Sequence, residues 1–343
     1  MSPVFGILLV VLAGLGTGTF VWPMKLQKKF QFEHWFFVAM LAGLIIVPWA
    51  VTLIFIPDAI GAFRSIDRMA LLKANLFGLA WGVANVLGGI AFVRIGVALT
   101  GGFLTGLGLS VGVTLPLVLK GSGLFSDAPD ILSTPGLVIL CAVAIMIVAV
   151  VFLTLAGFGR DRVLQKTRKT AGSILGGLVI AAIAGATSCG IGLAFIYGQD
   201  PIVKAMTANG AGQITSMVAV WAGAIFFAAL VNVLYPAYLM TKNKNWGVLT
   251  GDWKEVGLSA IIGVQFIVAV TLMGKGMLLL GAAGGAVGFG IQQASQVIGN
   301  QALGFISGEW RGVYGKPRSW MYLAIFLILV AAAILAYAKS LAG

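Results

Sequence analysis

The sequence predicts an all-α integral membrane protein with ten transmembrane helices in two inverted five-helix repeats. Three observations predict this fold. Hydrophobic residues make up 60% of the 343 residues and charged residues only 9%, whereas a soluble domain carries roughly 25% charged residues. A crossing needs about 20 apolar residues, so the chain has room for roughly ten crossings. The longest basic stretch, residues 158–172, divides the predicted spans five and five. Because each half has an odd number of spans, the second half lies in the membrane in the opposite orientation to the first.

Apolar runs bounded by charged residues, glycine or proline define the spans. The first run, which begins at Pro3, has no basic segment before it, so we expect a first span and not a cleaved leader. Arg94 is the predicted boundary between the third and fourth spans, and Gly274-Lys275-Gly276 is the predicted tight turn between the eighth and ninth. The predicted spans are 3–23, 33–56, 70–93, 97–119 and 135–157, followed by 173–196, 212–240, 256–274, 278–306 and 319–339.

The distribution of basic residues predicts the orientation. Lys and Arg total 22 against 10 Asp and Glu. They lie in short gaps between apolar runs, which favours membrane topology over nucleic-acid binding. Fifteen of the 22 fall in the odd-numbered connections between spans. The positive-inside rule therefore places those connections in the cytoplasm and both termini outside a bacterial-type inner membrane.

The two predicted repeats occupy residues 1–157 and 173–343, joined by the basic cytoplasmic linker 158–172. Inverted repeats of this kind are found in many secondary transporters. Glycines at four-residue spacing, such as Gly14 and Gly18, are typical of helices whose backbones approach closely.

The two cysteines, Cys141 and Cys189, both fall inside apolar runs, so we expect neither a disulfide framework nor a cysteine-based metal site. The sequence has no cluster of His, Asp, Glu or Cys near the middle of the spans and no phosphate-cradling lysine loop. We therefore expect no metal, no cofactor and no ATP. A membrane enzyme or a structural subunit is the least favoured class of function.

Four strings in order resemble a known family. They are WPMKLQKKFQFEHW at 22–35, VPWA at 47–50, FGLAWGVANVLGG at 77–89 and GEWRG at 308–312. They look like the corresponding segments of the bacterial L-rhamnose/proton symporters, which belong to the drug/metabolite transporter superfamily. The resemblance implies ten helices in two inverted halves, a sugar as solute and a proton as the coupled ion.

The ninth predicted span carries the clearest candidate solute-binding residues. Amide and hydroxyl side chains recur at helical spacing on one face of the helix, which we expect to point into the bundle or a wet cavity. Such groups suit a polyhydroxylated neutral solute. Hydrogen bonding between helices without any ligand is the alternative. The face consists of Gln292, Ser295, Gln296, Gly299 and Asn300, with Gln293 at its edge.

Further candidates lie on other spans. Trp81 and Asn85 are four residues apart in the third span, so the indole could offer a platform for a sugar ring beside an amide. Packing of two helices explains the pair equally well. Thr17 and Ser188 occupy comparable places in the two predicted repeats, although hydroxyls often bond the backbone of their own helix.

The sequence offers few groups for proton coupling. Lys25 could line the mouth of a cavity, but we favour a topology anchor. Glu33 and His34 form the nearest titratable pair, with an interfacial ion pair as the blander interpretation. The spans hold no Asp or Glu away from their ends. Either the proton relay is peripheral, as Glu33 would be, or the protein is an uncoupled facilitator.

Export of another small metabolite, such as an amphipathic amine or an amino acid, is the remaining alternative. A carrier of cations would need an embedded acidic residue, whereas the amide-rich ninth span favours a neutral solute. The partners expected are thus a small solute, a proton and the lipid bilayer.

Overall fold

A computed structural model describes residues 3–95, 97–119, 129–164, 174–281 and 287–342. Within these residues the secondary structure is helical and contains no strand. Seven helical segments are long and apolar enough to cross a membrane, or eight if one bent pair is counted as a span. The predicted all-α membrane class is therefore confirmed.

The helices follow the predicted spans in order, with several shifted ends. A 3-10 helix covers Trp22–Leu26, and a π-helical stretch, Leu41–Ile46, joins α2 to α3. The α-helices are α1 (Pro3–Thr19), α2 (Phe32–Met40), α3 (Val47–Phe55), α4 (Ala59–Ser65), α5 (Arg68–Ile95), α6 (Val97–Leu119), α7 (Thr134–Val163), α8 (Ile174–Ser188), α9 (Gly190–Ala208), α10 (Gln213–Ala224), α11 (Phe226–Asn243), α12 (Gly247–Thr250), α13 (Trp253–Leu279), α14 (Phe289–Ile306) and α15 (Lys316–Ala342).

The chain divides into two compact units. Unit 1 comprises Met1–Gly18, Ala84–Cys189 and Gly276–Gly343, and unit 2 comprises Thr19–Val83 and Gly190–Lys275. Both units thus take segments from both halves of the sequence. Helices α5 and α13 each contribute one part to unit 1 and the other part to unit 2.

In unit 1, α7 packs along α6 and α15, and α6 also packs on α8. Small residues set the α6–α8 approach: a Cβ at Gly108 would overlap the hydroxyl of Ser188, and one at Gly185 would lie 3.0 Å from Leu107 Cβ. The close packing expected for the glycine-rich spans is found here.

In unit 2, the π-helical stretch after α2 touches α13 through its backbone, since a Cβ at Gly43 would lie 2.8 Å from the Cα of Gly263. Helices α10 and α11 form one apolar segment bent by 61°. The bend at Ile225 is bridged by Asn75 of α5. Its amide donates to the carbonyl of Gly223 at 2.7 Å and accepts from the N–H of Phe227 at 3.1 Å.

The predicted turn at Gly274-Lys275-Gly276 is wrong, because α13 continues through it to Leu279. The two glycines serve close packing: a Cβ at Gly274 would lie 2.5 Å from the ring of Phe195, and one at Gly276 would lie 2.6 Å from Val10. The helix ends instead before Gly281, whose φ of 63° is the left-handed conformation that glycine adopts readily.

The predicted spans 173–196 and 212–240 are each interrupted, the second at Ile225, and the predicted linker is partly helical. The span 173–196 breaks at Cys189, and its second part, α9, continues to Ala208. Helix α7 extends to Val163, six residues past the predicted end at 157 and into the basic linker. Residues 165–173 of that linker lie outside the described residues.

Candidate functional site

A relay of three polar side chains joins α1 to α14 within unit 1. Thr17 Oγ1 donates to the carbonyl of Gly14 at 3.0 Å and accepts from Gln292 Nε2 at 2.8 Å. Gln292 Nε2 also donates to Gln296 Oε1 at 3.2 Å. Thr17 and Gln292 are only 4% and 3% exposed. Since bare amides are costly inside a membrane, the two helices satisfy each other's polar groups here.

Glycine on α1 makes this relay possible. A Cβ at Gly14 would overlap the carbonyl oxygen of Gln292, and one at Gly18 would lie 2.9 Å from the Cα of Gly299. Gly14, Thr17 and Gly18 are three and four residues apart, so they share one face of α1. Backbone contact on that face brings the threonine hydroxyl within reach of the glutamine on α14.

The predicted amide face of α14 is thus turned toward α1. Ser295 is buried, and it approaches Gly14 so closely that a Cβ on the glycine would overlap the serine Cβ. Gln293 is half-buried, and Asn300, two turns beyond Gln292, is exposed. The face has a buried end at Gln292 and a solvent- or lipid-accessible end at Asn300.

Trp81, in unit 2, lies in an aromatic stack. Its ring is nearly parallel to that of Phe266, with an interplanar angle of 7° and centroids 5.8 Å apart. Phe266 in turn lies 5.6 Å from Phe20. Asn85 lies one turn further along α5, in unit 1, and is half-buried.

A second relay, in unit 2, was not predicted from the sequence. Gln265 Oε1 accepts from Trp22 Nε1 at 3.0 Å, and Gln265 Nε2 donates to Thr19 Oγ1 at 3.0 Å. The neighbouring residue, Phe266, is the ring stacked on Trp81. Gln265 is the one amide in the predicted span 256–274. The criterion used for α14, an amide inside an apolar helix, would have found it.

Ser188 and Lys25 are the two remaining candidates on the helices. Ser188 Oγ donates to the carbonyl of Gly185 at 2.7 Å and lies 3.4 Å from that of Leu104. It therefore bonds backbone, as hydroxyls on helices commonly do. Lys25 is exposed on the short 3-10 helix at Trp22–Leu26.

Glu33 and His34 are both buried at the start of α2, at 6% and 1% exposure. Glu33 Oε1 accepts from the side-chain amides of Asn243 and Asn245, at 3.1 and 2.9 Å. His34 Nδ1 accepts the N–H of Gln31 at 3.1 Å, and His34 Nε2 lies 3.3 Å from the carbonyl of Asn245. This geometry fits a neutral imidazole that carries its proton on Nε2.

Glu255 is a buried carboxylate that the sequence did not single out. It is 5% exposed and lies in the first turn of α13. Its oxygens accept the backbone N–H groups of Lys28 at 2.8 Å, Lys29 at 2.9 Å and Phe30 at 2.7 Å. The predicted span began at residue 256, which left Glu255 just outside and hid its burial.

An ion pair beside Glu255 reinforces the same segment. Lys29 Nζ lies 3.0 Å from Asp252 Oδ2. The hydrogen bond from Lys29 holds the pKa of Asp252 below its ordinary value. Two carboxylates of α13 and the turn before it therefore fix the segment between α1 and α2.

Among the described residues, no group of three His, Cys, Asp or Glu side chains could hold a metal ion. The polar groups that converge in these residues are amides, hydroxyls and carboxylates bound to backbone N–H groups. Such groups form hydrogen bonds with hydroxyls and amides.

Comparisons with known proteins agree on one family. Residues 2–341 match the family model described as L-rhamnose-proton symport protein (RhaT). The L-rhamnose-proton symporter of Cronobacter sakazakii is 24% identical over 339 residues, covering 96% of each chain. The symporters of Shigella flexneri and an Enterobacter species are 23% and 24% identical over 339 residues, with the same coverage.

Proposed function

Because the chain belongs to the L-rhamnose-proton symport protein family, we propose that it carries a neutral, L-rhamnose-like sugar together with a proton across a bacterial-type inner membrane. Membership of a symporter family makes the chain a multi-pass transport protein and not an enzyme. The observation that carries the sugar assignment is the buried relay from Thr17 through Gln292 to Gln296.

The relay suits a sugar because its members are both donors and acceptors. Gln292 and Gln296 each have an amide N–H pair and a carbonyl oxygen, and Thr17 has a hydroxyl. A sugar hydroxyl can replace one internal hydrogen bond with a similar one, so the net cost of the exchange is small. We assign Ser295 and Asn300, on the same face of α14, and Gln293 at its edge to the same binding surface.

Other candidates support the proposal less directly. Within unit 2, Trp81 with Phe266 offers apolar ring surface of the kind that packs against the C–H face of a sugar. Asn85 supplies an amide in unit 1. Ser188 and Lys25 rank last, since Ser188 bonds backbone and Lys25 lies on an exposed short helix.

For the proton we propose the pair Glu33 and His34. In the structure His34 Nδ1 accepts the N–H of Gln31, the residue that caps the start of α2. A proton bound at Nδ1 must break that bond, so protonation would change how α2 begins. Glu33 Oε1 and His34 Nε2 both contact Asn245, so the carboxylate is placed to stabilise an imidazolium.

We also propose ten crossings in two inverted halves, 1–157 and 173–343, joined by the linker 158–172, with both termini outside and the fold of the drug/metabolite transporter superfamily. Seven spans and one bent pair meet the length and hydropathy requirements, and α6 contributes a shorter apolar helix. Helix α14 has 18 residues, and its amides lower its hydropathy. Adding α6 and α14 to these eight gives the ten proposed crossings, five on each side of the linker.

The test is uptake of labelled L-rhamnose into proteoliposomes with and without an imposed pH gradient, acidic outside. The proposal predicts accumulation above the external concentration only with the gradient. Equilibration regardless of the gradient would make the protein a facilitator and contradict coupling. Failure to move L-rhamnose and related deoxy-sugars under either condition would contradict the sugar assignment.

A further inference from the structure

An apolar groove runs along unit 1 between α6 and α7. Its volume is about 310 Å³, at the lower end of the range of pockets that bind small molecules. Phe103 and Leu107 of α6 form one wall, and Val150 and Val151 of α7 form part of the other. The two helices approach closely at Gly106, where a Cβ would lie 3.2 Å from Val150 Cγ1.

The two hydroxyls in the groove leave it apolar. Ser110 Oγ donates to the carbonyl of Gly106 at 2.6 Å, and Thr154 Oγ1 donates to that of Val150 at 2.8 Å. Each hydroxyl hydrogen is therefore used within its own helix. A polar solute would find few partners here, whereas a hydrocarbon chain would find a matching surface.

The groove opens toward the outside of the protein within an apolar span. Ile147, Val151 and Leu155 line it and are 42%, 53% and 38% exposed. They belong to α7, whose apolar window has a mean hydropathy of 3.2. Eight residues of helix rise about 12 Å, which is close to the roughly 15 Å depth of one leaflet.

A cation lies at the end of the same helix face. Arg162 follows Leu155 by seven residues, so it projects from the same side of α7, roughly 10 Å further along the axis. Arg162 is exposed. The two acidic side chains at this end, Asp161 and Glu309, both bond Arg160, at 3.1 and 3.0 Å. Their charge is thus engaged by the neighbouring arginine.

We propose that this groove binds one acyl chain of an anionic phospholipid whose phosphate is held by Arg162. Charge complementarity selects the headgroup, because a zwitterionic lipid carries a cation that the arginine repels. The apolar walls and the accessible rim select the chain. This site is separate from the polar relay of α1 and α14, so the lipid proposal does not depend on the sugar assignment.

The experiment is native mass spectrometry of the purified full-length chain titrated with phosphatidylglycerol or with phosphatidylcholine of the same acyl chains. We expect one phosphatidylglycerol to bind more tightly than phosphatidylcholine. Arg162→Gln should weaken phosphatidylglycerol about fivefold, the factor that about 1 kcal/mol per basic residue gives, and leave phosphatidylcholine unchanged. Val151→Trp, which fills the groove, should weaken both lipids.

Matched controls are Arg68→Gln and Val179→Trp, because Arg68 and Val179 are exposed residues on α5 and α8. Both should bind phosphatidylglycerol as the unchanged chain does. A phosphatidylglycerol with a diazirine on its acyl chain should label residues 103–110 and 147–155 of the unchanged chain, a readout that needs no variant to fold. The proposal would be overturned by labelling elsewhere or by a second copy of the chain covering the groove. It would also be overturned if Arg162→Gln and the unchanged chain bound phosphatidylglycerol equally.

Discussion

The carboxylate of Glu255 accepts the backbone N–H of Phe30 at 2.7 Å. One buried side chain at the start of α13 thereby holds the segment between α1 and α2. The N–H groups of Lys28 and Lys29 complete the arrangement. Three backbone donors bond this carboxylate, and the one of Phe30 lies in a buried contact, where it would be costly to leave without a partner.

Replacing Glu255 by Ala should therefore destabilise the protein by about 2–3 kcal/mol, because bonds to a charged acceptor are strong and the N–H of Phe30 stays buried. The stability of Glu255→Gln should lie between those of Glu255→Ala and the unchanged chain, since the amide nitrogen of the glutamine cannot accept a hydrogen bond. The measurement is thermal unfolding of the detergent-purified protein. Glu309→Ala is the control: its carboxylate bonds Arg160 and its side chain is 37% exposed, so we expect less than about 1 kcal/mol. Equal stability of Glu255→Gln and the unchanged chain would contradict the account.

Asn75 should be required for the bend between α10 and α11. Its side chain replaces the hydrogen bonds that the helix loses around Ile225. Asn75→Leu keeps the size and removes both bonds, and we expect a loss of about 1–3 kcal/mol in thermal unfolding. Asn209→Leu is the matched control, because the Asn209 amide donates to the carbonyl of Ala205 in its own helix. If Asn209→Leu lowers the stability as much as Asn75→Leu does, the result would count against the bridging role of Asn75.

Gln292→Ala should raise the KM for L-rhamnose by roughly fivefold to tenfold, the factor expected for about 1–1.4 kcal/mol of lost hydrogen bonding. Gln293→Ala, at the edge of the face, should raise KM less. Initial rates of uptake in proteoliposomes, corrected for the amount of protein, give the comparison. A purely structural role would lower the amount of folded protein and leave KM unchanged, which would remove Gln292 from the binding surface.

Gly18→Ala should disturb the α1–α14 contact, since the added Cβ would lie 2.9 Å from the backbone of Gly299 and Asn300. Forcing the helices apart lengthens the bond between Thr17 and Gln292 and should cost about 1–3 kcal/mol. Thermal unfolding checks the cost. Gly257→Ala is the control: nothing lies within 4 Å of its Cβ position, so the change should be neutral or stabilising. Tolerance of both changes alike would contradict the packing described for α1.

The sequence predicted the membrane class and most span positions because hydropathy reports directly on the solvent of each helix. It predicted the α14 face because amides at helical spacing are unmistakable in an apolar run. It failed at Gly274-Lys275-Gly276, where the same residue types serve a turn or close packing. Which of these applies depends on the neighbouring helices, and in this case Phe195 and Val10 lie against the two glycines.

Glu255 and Gln265 show a second limit of sequence reasoning. Glu255 was passed over because it flanks a predicted span, and its burial depends on the segment 28–30, more than 200 residues earlier in the chain. Gln265 carries a sequence signal, but its partners Trp22 and Thr19 are just as distant. Long-range pairing of polar groups inside a membrane leaves no local pattern.

Symport requires a proton to enter with each sugar, so proton movement driven by the sugar alone is the decisive measurement. Proteoliposomes in a weakly buffered medium, without any imposed pH gradient, are given L-rhamnose while the external pH is recorded. The medium should become alkaline as protons enter with the sugar, and Glu33→Gln with His34→Gln should abolish this change. Entry of labelled L-rhamnose without any change in external pH would contradict symport.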